Sequence, residues 1–241
     1  MSVPATLRPD PLARPKLLAA LVAEQLREMI VTGRLALGEL VSENTVAEQL
    51  SVSRTPVRDA FARLEAERLL EIRPQRGTFV FQCDAGELRD ICELREVLET
   101  GALRLALRRD RAALVAALAA QVAAAEPAAT LGAAAYQPCD TAFHDTLIAA
   151  ADNRELTDAY ARISGRIRAV RHRLTRTAQQ VQASQSDHRD IVAALAAADD
   201  VRAGTLLGRH VFNLYRFLRE RIGDADRAAS IGTVHERGGM P

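Results

Sequence analysis

The chain has 241 residues, 48% of them apolar, with 32 basic and 31 acidic side chains and a formal net charge of +1. Such a length and apolar content can bury a sizeable core in one large or two small domains, and the balanced charge excludes a nucleic-acid binder that works through bulk charge. Any basic surface must be local. Cys83, Cys92 and Cys139 form no C-x-x-C pair and are odd in number, which suits small core residues in a reducing, cytoplasmic setting. Prolines interrupt the first 16 residues where a secretory signal needs an apolar run. No later segment approaches the uncharged length of a membrane span, so no membrane is expected as a partner.

Residues 1–15 read as a disordered N-terminal segment. From Leu17 the apolar positions Leu18, Leu21, Val22, Leu26, Met29 and Ile30 recur at helical spacing until Gly33. "GRLALGELVSE" reads as a loop, followed by a short helix around Asn44 to Leu50, a tight corner at Ser51 and Val52, and a third helix in "SVSRTPVRDAF". Ser53 suits the N-cap of that helix, and Pro56 is tolerated in the first turn, where a missing N–H has no intrahelical partner to lose. "EIRP" and "TFVF" then flank "QRG" as two strands around a turn, a β-hairpin. Helix, short helix, corner, helix and hairpin describe a winged helix-turn-helix over residues 16–82.

In such a fold the second helix of the pair enters the DNA major groove, while nearby basic groups hold phosphates. Arg54 and Arg58, one turn apart, then face one groove, and the arginine fork matches the O6 and N7 acceptors of guanine. Arg76 and Gly77 fall at the hairpin tip, where glycine permits close backbone approach and arginine can reach the minor groove or a phosphate. Charge spacing alone favours a solvated face in which Arg54, Arg58 and Arg63 pair with Asp59 and Glu65. The order of the elements favours DNA.

"LVSENTVAEQLSVSRTPVRDAFARLEAERLLEIRPQRGTFV" resembles the DNA-binding domain of GntR-family bacterial transcription regulators, over residues 16–81. The resemblance implies that Arg54, Thr55 and Arg58 contact double-stranded DNA and that Arg76 and Gly77 belong to the wing. Members of the FadR-like subgroup often carry a basic residue where Asn44 stands, a Gly where Ser51 stands and Pro-Gly where Leu37 and Gly38 stand. Asn44 can still donate to a phosphate or base.

"DAGE", Asp84 to Glu87, has the residues of a capping box, and from there to Ile222 the chain shows only helical periodicity. Breaks are expected at Pro127, near Asp152, around Gln179 to Ser186, and at Asp199 and Asp200. This is an all-helical second domain over 84–222, joined with little slack, with 223–241 as a flexible tail. The expected fold class is mainly α: an N-terminal winged helix-turn-helix with a small hairpin wing, then an all-α bundle.

Within that bundle Leu88, Ile91, Arg95, Leu98, Ala102 and Leu105 follow each other at spacings of three and four, so Arg95 sits in an apolar seam. A buried guanidinium needs an anionic partner. Either Glu99, one turn on, or the carboxylate of a bound small molecule supplies it. Asp140 and His144 share one side of a helix with Leu147 and Ile148. His188 faces inward with Ile191, Val192 and Leu195, and His210 with Leu207, Leu214 and Phe217. Three inward histidines and an inward aspartate on three helices are what a divalent metal requires, although a single inward histidine is more often a hydrogen-bonded core residue. His172 falls among Arg168, Arg171 and Arg176, off the apolar line of its helix, and is expected at the surface. His235 lies in the tail and is not expected to be a ligand.

"LREVLE", "DTAFHDTLIAAADN", "SDHRDIVAAL" and "GRHVFNL", behind a GntR-type N-terminus, resemble the FCD effector domain of the FadR-like subgroup over residues 84–222. The resemblance implies that Asp140, His144, His188 and His210 bind a divalent ion, and that Arg95 holds an effector carboxylate, with Asn213 a further candidate. Zinc is the first choice of metal; nickel and manganese accept the same ligands. The implied function is a homodimeric repressor on a palindromic operator, controlled by a small organic acid. Two rivals are a regulator in which the ion itself is the signal and a metallohydrolase. Against the hydrolase, no inward Glu or further His is placed as a general base near the ligands, so no enzyme is expected.

Overall fold

A computed structural model describes residues 13–175 and 177–235. The chain divides at Gln82 and Cys83 into two compact units. In the first, α1 (Ala13–Val31) packs on α3 (Arg54–Ala66), with α2 (Glu43–Gln49) between them in sequence. Val22, Ala23, Leu26 and Ile30 of α1 and Val57, Ala60, Phe61 and Leu64 of α3 are buried. Arg27 clamps Glu67 across these elements with Nε and Nη2 at 2.8 and 2.7 Å. Ser53 is the N-cap of α3 by its extended backbone, without a side-chain cap bond. Ser51, at the corner between α2 and α3, has φ 53. That is the left-handed region, where glycine alone escapes a Cβ penalty.

The wing has one strand more than the sequence indicated. β1 (Leu40–Val41), inside the stretch read as a loop, joins β2 (Leu70–Arg73) and β3 (Gly77–Val80) in an antiparallel sheet of order β1-β3-β2. Two residues carry no periodicity, so β1 has no signal of its own in sequence. Its pairing, Leu40 with Phe79 and Val41 with Thr78, explains Gly77: with φ 108, a Cβ there would lie 2.8 Å from Leu40 Cδ1.

The second unit is all helix: α4 (Ala85–Leu131), α5 (Ala133–Ala150), α6 (Arg154–Leu174), α7 (Ala178–Ala196) and α8 (Asp200–His235). The capping box forms as expected, Glu87 N–H donating to Asp84 Oδ1 at 2.8 Å and Asp84 N–H to Glu87 Oε2 at 3.0 Å. α4 packs against all four other helices.

Several expected breaks lie elsewhere. α4 runs through Pro127, which is exposed, and ends at Gly132. It is interrupted instead at Asp110 (φ −157, ψ 94), whose carboxylate caps Ala113 N–H at 2.9 Å. The expected break at Gln179 to Ser186 falls inside α7, whose N-cap, Thr177, stands two residues before Gln179 and forms a capping box with Gln180. The chain turns near Asp152 and before Asp200, as read from sequence. α8 continues to His235 where a flexible tail was expected, and α1 already begins at Ala13; residues 1–12 and 236–241 lie outside the described residues. The expectation that no segment suits a membrane span also needs correction. α4 contains an 18-residue window with mean hydropathy 1.5 and at most two charges, 22% buried. Much of its apolarity is alanine; Leu114, Leu118, Ala125 and Ala129 form the buried face of this half of the helix.

Candidate functional site

Asp140, His144, His188 and His210 are all buried, and one donor atom from each lies within 4.8 Å of every other. Helix pitch brings Asp140 and His144 to one face of α5; α7 supplies His188 and α8 supplies His210. His210 Nε2 lies 3.2 Å from His144 Nε2 and 3.1 Å from His188 Nε2. Asp140 places Oδ2 3.9 Å from His144 Nε2 and Oδ1 3.8 Å from His188 Nε2. Phe143 stacks on the His188 ring at 3.9 Å between centroids.

The outward nitrogen of each imidazole has its own partner. His144 Nδ1 donates to Glu99 Oε2 at 2.8 Å, and His210 Nδ1 to Asp187 Oδ2 at 3.2 Å. His188 Nδ1 lies 3.3 Å from the Tyr136 hydroxyl, which donates to Ser184, which in turn donates to Asp140 Oδ1 at 2.8 Å. This chain of donors fixes His188 with its proton on Nδ1. Three Nε2 lone pairs therefore face a common point, an arrangement that repels itself unless positive charge sits among them. A proton needs two such donors, whereas a divalent ion uses four. The separations of 3.1 and 3.2 Å are close to the roughly 3.3 Å edge of a tetrahedron with 2.0–2.1 Å metal–nitrogen bonds. The donor set fits a metal.

Burial pushes His144 down to about 4, against the pull of the Glu99 and Asp140 carboxylates, and holds His188 well below its usual range. Both are neutral at pH 7, the form a metal needs. Burial alone would raise Asp140 and Glu99, but Arg171 beside the first and Arg95 beside the second hold them well below the usual carboxylate range.

Arg95 is 3% exposed and takes the first of its two options, Glu99. Its Nε donates to Glu99 Oε1 at 2.6 Å, while its Nη2 is buried without a hydrogen-bond partner among the described residues. It borders a cavity of about 30 Å³ with Asp140, Arg171, Ser184, His210 and Asn213. Asn213 donates to Asp187 Oδ2 at 2.8 Å. A wider groove of about 710 Å³ between α4 and α8 is lined by Arg104, Arg108 and the Arg111–Asp200 pair. It contains none of the buried donors.

Two sequence expectations, for Arg171 and His172, are corrected here, and one, for Glu99, is extended. Glu99, one of the two partners offered for Arg95, is 0% exposed and also bonded to His144. It sits behind the imidazole, on the side away from Nε2, so it is not placed as a base on a metal-bound group. Arg171, grouped with the surface arginines, is buried and bonds Asp140 and Thr141. The signal was its position four residues after Ile167 and one after Val170, on the edge of the apolar line. His172 is half-buried rather than at the surface, with Nδ1 3.0 Å from Gln137 Oε1. Asp187, Tyr136 and Ser184 went unread because their partners come from other helices. His235 ends α8, its side chain outside the described residues.

In the first unit Arg54, Thr55 and Arg58 are exposed on the first two turns of α3. Glu43 Oε2 lies 3.5 Å from Arg54 Nη2 and 3.6 Å from Arg58 Nε. Asn44 is exposed in the first turn of α2, and Arg76 in the turn before β3. Gly77 opens β3, its close approach being to Leu40.

Comparison with known proteins places both units. Residues 18–80 match the model of bacterial regulatory proteins of the gntR family, and residues 90–213 match the FCD domain. The Nta operon transcriptional regulator of Aminobacter aminovorans is 36% identical over 134 residues, 56% of this chain and 64% of that protein. A probable D-xylose utilization operon transcriptional repressor of Paenarthrobacter nicotinovorans is 34% identical over 194 residues, 79% of this chain and 85% of that one. The solved structure of E. coli McbR/YncC superposes with a TM-score of 0.73 at 22% identity, covering 85% of this chain and 98% of that one, a likeness of fold. These relatives are regulators of transcription, not enzymes. The chain is a member of the GntR family of bacterial regulatory proteins, with an FCD domain behind its helix-turn-helix.

Proposed function

We propose that this protein is a homodimeric, cytoplasmic repressor whose affinity for a palindromic operator is set by a small organic acid bound beside a divalent metal, zinc first. The carrying observation is the convergence of three Nε2 atoms and a carboxylate next to an arginine with an unpartnered buried nitrogen. Asp140, His144, His188 and His210 would hold the ion. When bound, it supplies positive charge and a coordination position for an acid oxygen. Arg95 Nη2 supplies a second, charge-assisted bond to the same acid, with Asn213 and Arg171 at the cavity wall. Arg54, Thr55 and Arg58 read the major groove, and Arg76, Gly77 and Asn44 hold backbone phosphates.

An acid changes operator affinity only by binding the DNA-competent and DNA-incompetent states differently, typically by about 1 to 3 kcal/mol. The test is Arg95→Ala in fluorescence anisotropy on the promoter beside the protein's own gene, with a panel of small carboxylates. We expect metal content and acid-free operator binding as in wild type, with the acid response lost. A normal response returns Arg95 to a structural ion pair.

One observation favours the ion as the signal instead. A volume of about 30 Å³ admits a few water-sized groups but no metabolite without movement of the walls. Titrating zinc at fixed acid separates the two, since a resident cofactor stays bound across the switch and a signal exchanges.

A further inference from the structure

Glu99 is completely buried, yet its two oxygens serve different partners. Oε1 accepts from Arg95 Nε at 2.6 Å and from the Tyr160 hydroxyl at 3.2 Å; Oε2 accepts from His144 Nδ1 at 2.8 Å. One carboxylate thus stands between the guanidinium that faces the cavity and an imidazole that faces the donor cluster. The Arg95 side is set by α4 itself, since the two residues are one turn apart, whereas His144 arrives from α5.

We propose that Glu99 is a positioning residue that couples the two ligands of this site, so that metal at His144 and a carboxylate at Arg95 strengthen each other's binding. This rests on the reading of the site given above and adds its regulation. A cation on Nε2 draws electron density from the imidazole and makes Nδ1–H a stronger donor to Oε2. Negative charge on Glu99 shifts toward His144, Arg95 is neutralised less on Oε1, and more of the guanidinium charge is left for an arriving anion. By reciprocity, an anion that draws on Arg95 leaves Glu99 freer to polarise His144 and tighten the metal. The carboxylate is essential to this traffic, because both neighbours are donors. A glutamine at the same place offers a single acceptor oxygen to the two sides, and its NH2 group opposes whichever donor it faces.

The experiment uses the full-length protein, zinc titrated against a chromophoric chelator, and acetate, the smallest carbon-bearing probe with a methyl group, titrated with and without zinc. In wild type, zinc is expected to raise acetate affinity by about fivefold or more. Glu99→Gln is expected to weaken zinc by about 10- to 100-fold and, with zinc saturating, to lower the zinc enhancement of acetate binding severalfold, leaving the part that direct coordination of the acid supplies. Glu99→Asp keeps the charge and protects the fold, but is one methylene too short to reach both partners, so it too should lose the part of the enhancement that passes through Glu99. Tyr160→Phe removes only one bond to Oε1 and should keep it. A purely structural role would lower melting temperature in the Glu99 variants and leave the ratio of acetate affinities unchanged. Wild-type coupling in Glu99→Gln or Glu99→Asp overturns the proposal. So does a wild type that binds zinc with acetate affinity unmoved, whereas a wild type that binds no zinc overturns the metal reading beneath it.

Discussion

In the free protein Arg54 and Arg58 lie within 3.6 Å of the same Glu43 carboxylate. Both arginines are largely exposed, so the attraction is weak and mainly orients the side chains. On the proposed reading, DNA displaces Glu43 before either guanidinium forks onto a base. Arg58→Ala should therefore cost about 1 to 3 kcal/mol of operator affinity at one guanine, measured by anisotropy against single-base operator variants; unchanged affinity and specificity would exclude Arg58 from base reading. Ser51 makes a second prediction at this scale. Its φ of 53 carries a Cβ penalty that glycine lacks, so Ser51→Gly should stabilise the first unit by about 1 kcal/mol despite the looser unfolded chain. Urea unfolding reads it, and a loss of stability would mean that the serine hydroxyl matters more than the backbone. The dihedral angle accounts for the glycine that the FadR-like pattern carries at this corner.

At the scale of elements, what was legible followed from spacing within one helix. The i, i+4 pair Asp140 and His144, the inward positions of His188 and His210, and the Asp84 capping box all depend on local pitch, and the structure brings the four donors together. What stayed hidden depended on which helices face each other. Arg171 reads as one of several arginines on a polar edge until Asp140 of α5 is set against it. The interruption of α4 at Asp110 was missed because neither proline nor glycine marks it, while Pro127 and Pro138, both exposed, are carried within helices. The two-residue β1 has no pattern at all without β3. The distal half of α4 buries few large side chains, Leu114 and Leu118 being the chief ones. Leu118→Ala should accordingly destabilise the second unit by about 2 to 5 kcal/mol, seen as a lower urea midpoint at constant slope. A cost below 1 kcal/mol would show that this half contributes little to folding.

For the whole molecule the buried titratable groups set a dependence on pH. His144 is held at about 4 when folded against 6.5 when unfolded, so between these values the unfolded chain takes up a proton that the folded one refuses. Stability is thus lost as pH falls from 6.5 toward 4. His188 acts in the same direction, and Glu99 and Asp140, held charged by their arginines, add a further loss below their own ordinary values. The melting temperature of metal-free protein should decline steadily below pH 6.5 and less steeply in His144→Gln. A flat profile down to pH 5 would show that the imidazoles are not neutral and enclosed.

The interruption at Asp110 has a consequence for how this chain can be cut. Drawn straight, the 47 residues of α4 would extend about 70 Å. Because the chain leaves helical geometry there and restarts with its own cap, α4 is two staves joined at an exposed seam. Arg95 and Glu99 belong to the first stave, and Leu114 to Ala129 to the second. A circular permutant opened at Asp110 would keep both staves whole, whereas one opened ten residues earlier would sever the first stave immediately beyond Glu99.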